Sequence, residues 1–467
     1  MLAENLQLSG IDINEMESLS HKRVLIVGLG TTGLSCARYL SGKGVEVAIT
    51  DSRNHPPALD ALQESNPDIA VFVGGFNTEA FERATCLIIS PGISLREPLI
   101  AEARARGAEI IGDIELFARN ADAPVIAITG SNGKSTVTSL LGEMAKAANL
   151  DVRVGGNIGI PALDLLSESH PNLYILELSS FQLETTESLN AAAAAILNIS
   201  EDHMDRYDDL ADYTAAKAKV YYGTGSLIVN LDDERVMATV QLIRQGREMV
   251  GFTAAKPADG QFGICSLDEK SNEAFLCYGS DKLMAVSELK IKGKHNAVNA
   301  LAALALGKEA NIPLDAMLSA LKEFPGLPHR TQWVAEKNNI SWYNDSKATN
   351  VGAAIAAING IAADSVILIA GGQGKGQDFS PLKDVVKNKV RHLILFGEDA
   401  KILNKELSGS TEISFVADLT DAINKANKVA IAGDAILLSP ACASFDMFSG
   451  YEQRGERFVS IVKEVLQ

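Results

Sequence analysis

Short runs of Val, Ile, Leu and Ala recur along the chain, each ending in glycine or a small polar residue and leading into a stretch whose apolar positions repeat with helical spacing. Continuous apolar runs suit strands covered on both faces, so the pattern predicts parallel sheets built from strand–helix units. Three such blocks are visible. The first opens with Lys22-Arg23-Val24-Leu25-Ile26-Val27-Gly28, passes through Val45 to Thr50 and Cys86 to Ser90, and closes near Gly112. The second opens at Pro124 and carries strands at Tyr174 to Leu178, Ala194 to Ile199 and Leu227 to Asn230. Alternating apolar positions from Gly251 to Ile291 predict a small antiparallel excursion, and a helix from His295 to Ala310 completes the block. Phe324-Pro325-Gly326-Leu327-Pro328 is a hinge by composition, and runs at Val366 to Ala370, His392 to Phe396, Ile413 to Val416 and Ala435 to Leu438 follow it.

The predicted fold is therefore α/β in three domains, over residues 1–112, 113–322 and 323–467, each around a mainly parallel sheet. The first and third read as Rossmann-like and the second as P-loop-ATPase-like. A length of 467 residues suits three domains of ~150 residues.

A formal net charge of −17 argues against a nucleic-acid or anionic-membrane partner and requires any phosphate-binding cations to be clustered locally. Five scattered cysteines without a C-x-x-C pair predict neither a disulfide framework nor a zinc site. No signal-peptide pattern opens the chain, and no run reaches the ~20 apolar residues of a spanning helix, so the expected setting is the cytoplasm.

The densest chemistry lies at Ala127-Ile128-Thr129-Gly130-Ser131-Asn132-Gly133-Lys134-Ser135-Thr136, where a β-branched run breaks into a Gly-rich turn and a helix. Backbone N–H groups of such a turn face phosphate oxygens, a lysine reaches the terminal phosphates and a hydroxyl is placed for Mg²⁺. Gly130 and Gly133 enclose two residues rather than the usual four, and Ile128 stands where the first glycine of a standard P-loop would be. Gly28-Leu29-Gly30-Thr31-Thr32-Gly33, with Asp51 ending the next strand, matches a dinucleotide fingerprint and equally suits any diphosphate-ribose ligand, a uridine diphosphate sugar included. Glu177 and His203 follow strands on the edge that carries the phosphate loop, an address for a divalent cation, although a lone histidine more often caps or packs. Lys217 and Lys219 read as an ordinary helix face. In the third block, Asn344 to Asn350, Gly371 to Gly376 and Ser439 to Asp446 form three polar loops on one sheet edge, an anion-binding cleft able to face the phosphate loop.

Together with Glu177-Leu-Ser-Ser, Asn198 to Asp205, Gly293-Lys-His-Asn296 and Leu327-Pro-His-Arg330, these motifs make the chain resemble the Mur ligase family, ATP-dependent amide ligases that build the cell-wall peptide. Asn344-Asp-Ser-Lys-Ala-Thr-Asn350, Ser439 to Asp446 and Glu452-Gln-Arg-Gly455 point, within it, to the members that add D-glutamate to UDP-N-acetylmuramoyl-L-alanine; the Asp-Asn-Pro-Arg/Lys motif of diamino-acid-adding relatives is absent. The resemblance implies that Leu29, Thr31, Asp51, Ser52, Arg53, Gly92 and Asn157 bind the UDP substrate. It assigns ATP to Gly130, Ser131, Asn132, Gly133, Lys134, Ser135 and Thr136 with Asn296, Arg330 and Asp345. Ser135 and Glu177 would serve one Mg²⁺, and His203 and Lys217 a second, the lysine being carbamylated in this family; Lys217 is chosen over Lys219 because the family's lysine follows two small residues, as Ala215-Ala216 do here. Lys134, Glu177, His203 and Lys217 are the implied catalytic group. D-glutamate would be held by Lys347, Thr349, Lys375, Ser444 and Tyr451. A monomer acting on small molecules is expected. The competing readings are a related Mur-family ligase that adds another amino acid, a folate-type glutamate ligase, which leaves the first block unexplained, an NAD-dependent oxidoreductase, which leaves the phosphate loop idle, and a non-enzymatic nucleotide-binding regulator.

Overall fold

Why three loops of the central domain share one edge follows from the order of its strands. In this computed structural model, which describes residues 19–466 apart from 20, 167–168, 245, 267–272 and 362, the described strands form three sheets. The reading of the N-terminus falls on residues outside that range, as does part of the excursion between Gly251 and Ile291.

The first sheet contains β1 (Val24–Val27), β2 (Val47–Thr50), β3 (Ala70–Phe72), β4 (Cys86–Ile89) and β5 (Glu109–Ile111), all parallel in the order β3-β2-β1-β4-β5. The second contains β6 (Val125–Thr129), β7 (Val152–Gly156), β8 (Leu173–Glu177), β9 (Ala193–Ile196), β10 (Ser226–Asn230) and β11 (Met249–Phe252), parallel, then β12 (Phe262–Ser266), β13 (Ala274–Tyr278) and β14 (Asp281–Ala285). β6 lies between β8 and β9, so the chain leaves β6 at a point where the connections diverge to either side. Ligands of open α/β sheets bind at such points. Every residue of β6 is buried: Ile126 and Ile128 share a core with the helices Lys134–Ala147 and Lys294–Glu309, and Val125 and Ala127 pack into the core on the opposite face.

The third sheet runs β15-β16-β20-β17-β18-β19, with β15 (Gln332–Lys337) antiparallel to β16 (Ile340–Asn344) and the parallel strands β17 (Ser365–Gly371), β18 (Val390–Phe396), β19 (Glu412–Phe415) and β20 (Asp434–Leu438) beyond. The Pro/Gly segment 324–328 links the helix Leu314–Glu323 to β15, as its composition predicts. Around it the third domain lies against the second. Arg330 Nη2 donates to Ser135 Oγ at 2.8 Å.

One expectation fails. Cys265 and Cys277 are joined as a disulfide, with Cα atoms 6.3 Å apart. They occupy diagonal positions on one face of the β12–β13 hairpin, where Cys265 pairs with Phe275 and Cys277 with Gly263. Their separation along the chain carries no sign of this; only the hairpin register brings them together. Cys36, Cys86 and Cys442 are buried thiols.

Candidate active site

The phosphate loop depends on a left-handed residue. Gly133 has φ 84°, and a Cβ there would lie 2.5 Å from Asn299 Oδ1, so both backbone and space require glycine. The turn is stitched to the loop after β9. Asn198 accepts from Asn132 N at 2.8 Å and donates to Asn132 O at 3.0 Å, while Ser131 Oγ donates to Ser200 O at 2.8 Å. The Ser131 hydroxyl is thereby committed to structure. Lys134 Nζ rests on the carbonyls of Gly130 and Ser131 at 2.7 and 3.1 Å.

Glu177, at the end of β8, is 2 % exposed. Its Oε1 accepts from Asn157 Nδ2 at 2.8 Å and its Oε2 is buried without a partner. Burial works to raise its pKa, but the charge of Lys134, the nearby Ser135 and the hydrogen bond from Asn157 outweigh that and hold it below the usual carboxylate range. An ionised, half-satisfied carboxylate beside a serine hydroxyl is the hard-oxygen donor set that Mg²⁺ prefers.

His203 has a left-handed backbone, φ 59°, uncommon for a non-glycine residue and typical of functional sites. Burial pushes its imidazole down to about 4, against the pull of Asp202, so the ring is neutral and able to ligate at physiological pH. Lys217 is 1 % exposed, donates to Gly130 O at 3.0 Å and lies 4.7 Å from the Tyr213 ring centroid. Burial, assisted by Lys134, depresses its pKa well below the ordinary lysine value. An amine with a neutral fraction is the form that reacts with CO₂. Lys219 instead donates to Glu184 O at 2.8 Å, outside this cluster. Among the described residues, no group of three or more His, Cys, Asp or Glu side chains converges as a metal site, so any cation here draws on Ser135, on Lys217 chemistry or on ligand oxygens.

Two cavities flank this group. One of about 560 Å³ lies between the second and third domains and is lined by Asn132, Gly133, Thr136, Asn296, Arg330, Asp345 and Lys347, with Phe252 and His295 also on its wall. The other, about 620 Å³, is lined by Thr31, Asp51, Ser52, Arg53 and Gly92 of the first domain, with Asn157 and Gln182 from the second. Leu29 does not line that groove. Its side chain is fully buried in the core and its N–H is taken by Asp51 Oδ2 at 2.7 Å, because the tight turn needs an internal acceptor. Asp51 also accepts from Arg53 N and Nε at 2.9 Å, which leaves it holding the turn and the arginine together.

The third-domain cations converge from the far side. Lys347 Nζ lies 3.3 Å from Ser135 Oγ and 2.9 Å from Tyr451 Oη, and burial, with Arg330 nearby, lowers its pKa to about 8. Lys375 is paired with Asp202, a residue of the second domain. Asp345 accepts from Ser439 Oγ at 2.7 Å and Thr331 N at 2.9 Å, and burial raises it to about 6. Ser444 is buried, and Thr349 lies two residues from Lys347, whose carbonyl accepts its N–H. Lys134, Arg330, Lys347 and Lys375 thus surround Glu177 and Asp202, a local positive excess inside an acidic protein.

Sequence reasoning overlooked Asp202, Asn350 and Arg454. Asp202 sits beside His203 in a stretch already marked, and Asn350 closes the Asn344–Asn350 motif. Arg454, fully buried, donates to Ser346 O, Ser346 Oγ, Cys442 O and Ala443 O and so binds two polar loops of the third domain together. Arg454 stands inside the motif Glu452 to Gly455, in the first turn of the helix Tyr451–Val465, and that motif was the available signal.

Comparison with known proteins agrees with this geometry. Residues 22–112 match a model described as the Mur ligase MurD-like N-terminal domain, 128–307 the Mur ligase middle domain, and 329–442 the Mur ligase glutamate ligase domain. The chain belongs to the Mur ligase family. It is 52 % identical over 443 residues to the UDP-N-acetylmuramoylalanine--D-glutamate ligase of Nitrosococcus oceani, covering 95 % of this chain and 96 % of that one. The Pseudomonas aeruginosa enzyme of the same name is 49 % identical over 444 residues, covering 94 % and 98 %. Among solved structures, UDP-N-acetylmuramate-alanine ligase MurC from Thermotoga maritima superposes with a TM-score of 0.60 at 19 % identity, over 95 % of this chain and 100 % of that one. A pseudomurein peptide ligase type C from Methanothermus fervidus gives the same values. At that identity these Mur ligase structures share the fold.

Proposed function

We propose that this protein joins D-glutamate to UDP-N-acetylmuramoyl-L-alanine, converting ATP to ADP and phosphate. The observation that supports the reading is the Asn157–Glu177 hydrogen bond, which joins a residue on the wall of the first groove to a carboxylate that feels the charge of the phosphate-loop Lys134. A uridine diphosphate ligand in that groove directs its far end toward Glu177, and the triphosphate arrives there from the other cavity.

In this reading the substrate carboxylate attacks the γ-phosphorus, ADP leaves and an acyl phosphate forms. Lys134 and Arg330 offset the charge as two anions approach, a positional and electrostatic role. Ser135 with Glu177, and His203 with Lys217 as a carbamate, would hold two magnesium ions, which when bound neutralise phosphate charge. Lys347, Lys375, Thr349, Ser444 and Tyr451 then orient D-glutamate so that its amine attacks the acyl carbon and phosphate departs. The packing of the third domain against Ser135 excludes water that would hydrolyse the acyl phosphate. The protein is proposed to act as a monomer in the cytoplasm. No helix among the described residues is long and apolar enough to cross a membrane.

The test is phosphate release from ATP with UDP-N-acetylmuramoyl-L-alanine and D-glutamate, L-glutamate or no amino acid. Release that requires D-glutamate is the expected result. Release with L-glutamate alone, or with none of the three mixtures, overturns the assignment.

A further inference from the structure

Arg206 lies three residues beyond His203, yet its guanidinium is spent largely on the first domain. Nη1 donates to Pro91 O at 3.2 Å and Nη2 to Ile93 O at 3.0 Å, the carbonyls on either side of Gly92 at the rim of the first groove. Nη2 also meets Glu184 Oε2 at 2.7 Å, with both side chains mostly buried, at 12 % and 14 % exposed. Glu184 alone would neutralise the charge, so the two carbonyl contacts add direction rather than compensation. A planar fork can serve three acceptors and a ring together, which a lysine cannot.

The ring is Phe181. Its centroid is 4.4 Å from Arg206 Cζ, and His203 meets the same ring edge-on, with centroids 4.7 Å apart and planes at 62°. His203 is held in a left-handed conformation that its surroundings must enforce. A continuous path therefore runs from the Pro91–Ile93 rim through Arg206 and Phe181 to the imidazole. A second strap between the same regions, Arg96 with Asp208 and Asp212, is solvent-exposed and contributes little.

We propose that Arg206 is a positioning residue that locks the rim of the first groove to the His203 loop, so that filling the groove and aiming the imidazole are one event. The inference rests on the reading given above, in which the groove takes the UDP substrate and His203 faces a cation.

The experiment compares Arg206→Lys, Phe181→Leu and Arg96→Ala with the wild type. Binding of UDP-N-acetylmuramoyl-L-alanine is measured by calorimetry in EDTA, and the Mg²⁺ concentration for half-maximal rate and the KM for D-glutamate are measured separately. Arg206→Lys should weaken substrate binding in EDTA about fivefold or more and raise the Mg²⁺ requirement by a similar factor, the loss of one charge-assisted hydrogen-bond pair. Phe181→Leu should leave substrate binding within about twofold and still raise the Mg²⁺ requirement, because only the second half of the path is cut. Arg96→Ala should change neither, and the KM for D-glutamate should hold throughout. Unchanged binding and Mg²⁺ response in Arg206→Lys overturns the proposal, as does a uniform rise of every KM with a lower melting temperature, which marks simple packing. If Arg206→Lys does not fold, Phe181→Leu decides by whether the Mg²⁺ requirement moves alone. Failure of the wild type to bind the UDP substrate instead sinks the functional reading itself.

Discussion

The side-chain amide of Asn350, in the third domain, donates to Asp202 Oδ2 of the second at 3.1 Å and to Asn132 Oδ1 of the phosphate loop at 3.2 Å. Its own Oδ1 accepts from Ala353 N at 2.8 Å and caps the helix Val351–Gly360. One amide thus ties a helix start, the phosphate loop and the loop of His203. Lys375, paired with the same Asp202, reinforces the contact.

Removing the latch should open the molecule. Asn350→Ala is expected to show a larger radius of gyration than the wild type in small-angle scattering without substrates, and ATP with the UDP substrate should narrow the difference. The KM for D-glutamate should rise about tenfold, the scale of one hydrogen bond to a charged group. Identical scattering curves for the two proteins would refute the latch.

Lys217 yields a chemical test. Lys217→Ala should lower kcat by about a hundredfold or more, the usual loss when a preorganised electrostatic group is removed. Added short carboxylic acids should restore part of the rate by supplying the missing carboxylate. Full activity without additive would remove Lys217 from the site.

Lys347 predicts a pH effect. Its pKa is lowered to about 8, chiefly by burial, so its charge is complete below that value and lost as pH rises through it. The KM for D-glutamate should therefore climb above pH 8, and Lys347→Arg should remove the climb. A flat KM from pH 7 to 9.5 in the wild type contradicts it.

Asp113 controls stability rather than catalysis. Burial raises its carboxyl to about 6, even though it accepts from Gln182 Nε2 at 2.9 Å. The folded value exceeds the unfolded one, so its contribution is fully present below about pH 4 and is lost as pH rises through 6. Asp113→Asn keeps an acceptor for Gln182 and removes the buried charge. It should melt higher than the wild type at pH 7.5, by on the order of 1–3 kcal/mol of stability, and no higher at pH 4. Thermal melts at the two pH values decide it.

The framework was readable where burial was two-sided. The fully buried strands β1 and β6 announce themselves as Val-Leu-Ile-Val and Val-Ile-Ala-Ile-Thr, each breaking into a glycine turn. Ala70–Phe72 and Gln332–Lys337, edge strands with exposed positions, carry no such run and were not anticipated. Residues defined by a motif, such as Lys134 and Glu177, stood out from the chain alone as candidates. A fingerprint position such as Leu29 does not tell side chain from backbone, and Asp202 and Asn350 escaped because their meaning arises only when two domains meet.

The Asn157–Glu177 hydrogen bond links the wall of the first groove to a carboxylate that feels the charge of the phosphate-loop Lys134. A single inhibitor scaffold with a diphosphate mimic at one end and a purine at the other could span that link and occupy both chambers. Ordinary kinases offer only the second chamber. Selectivity would then come from length rather than from any one pocket.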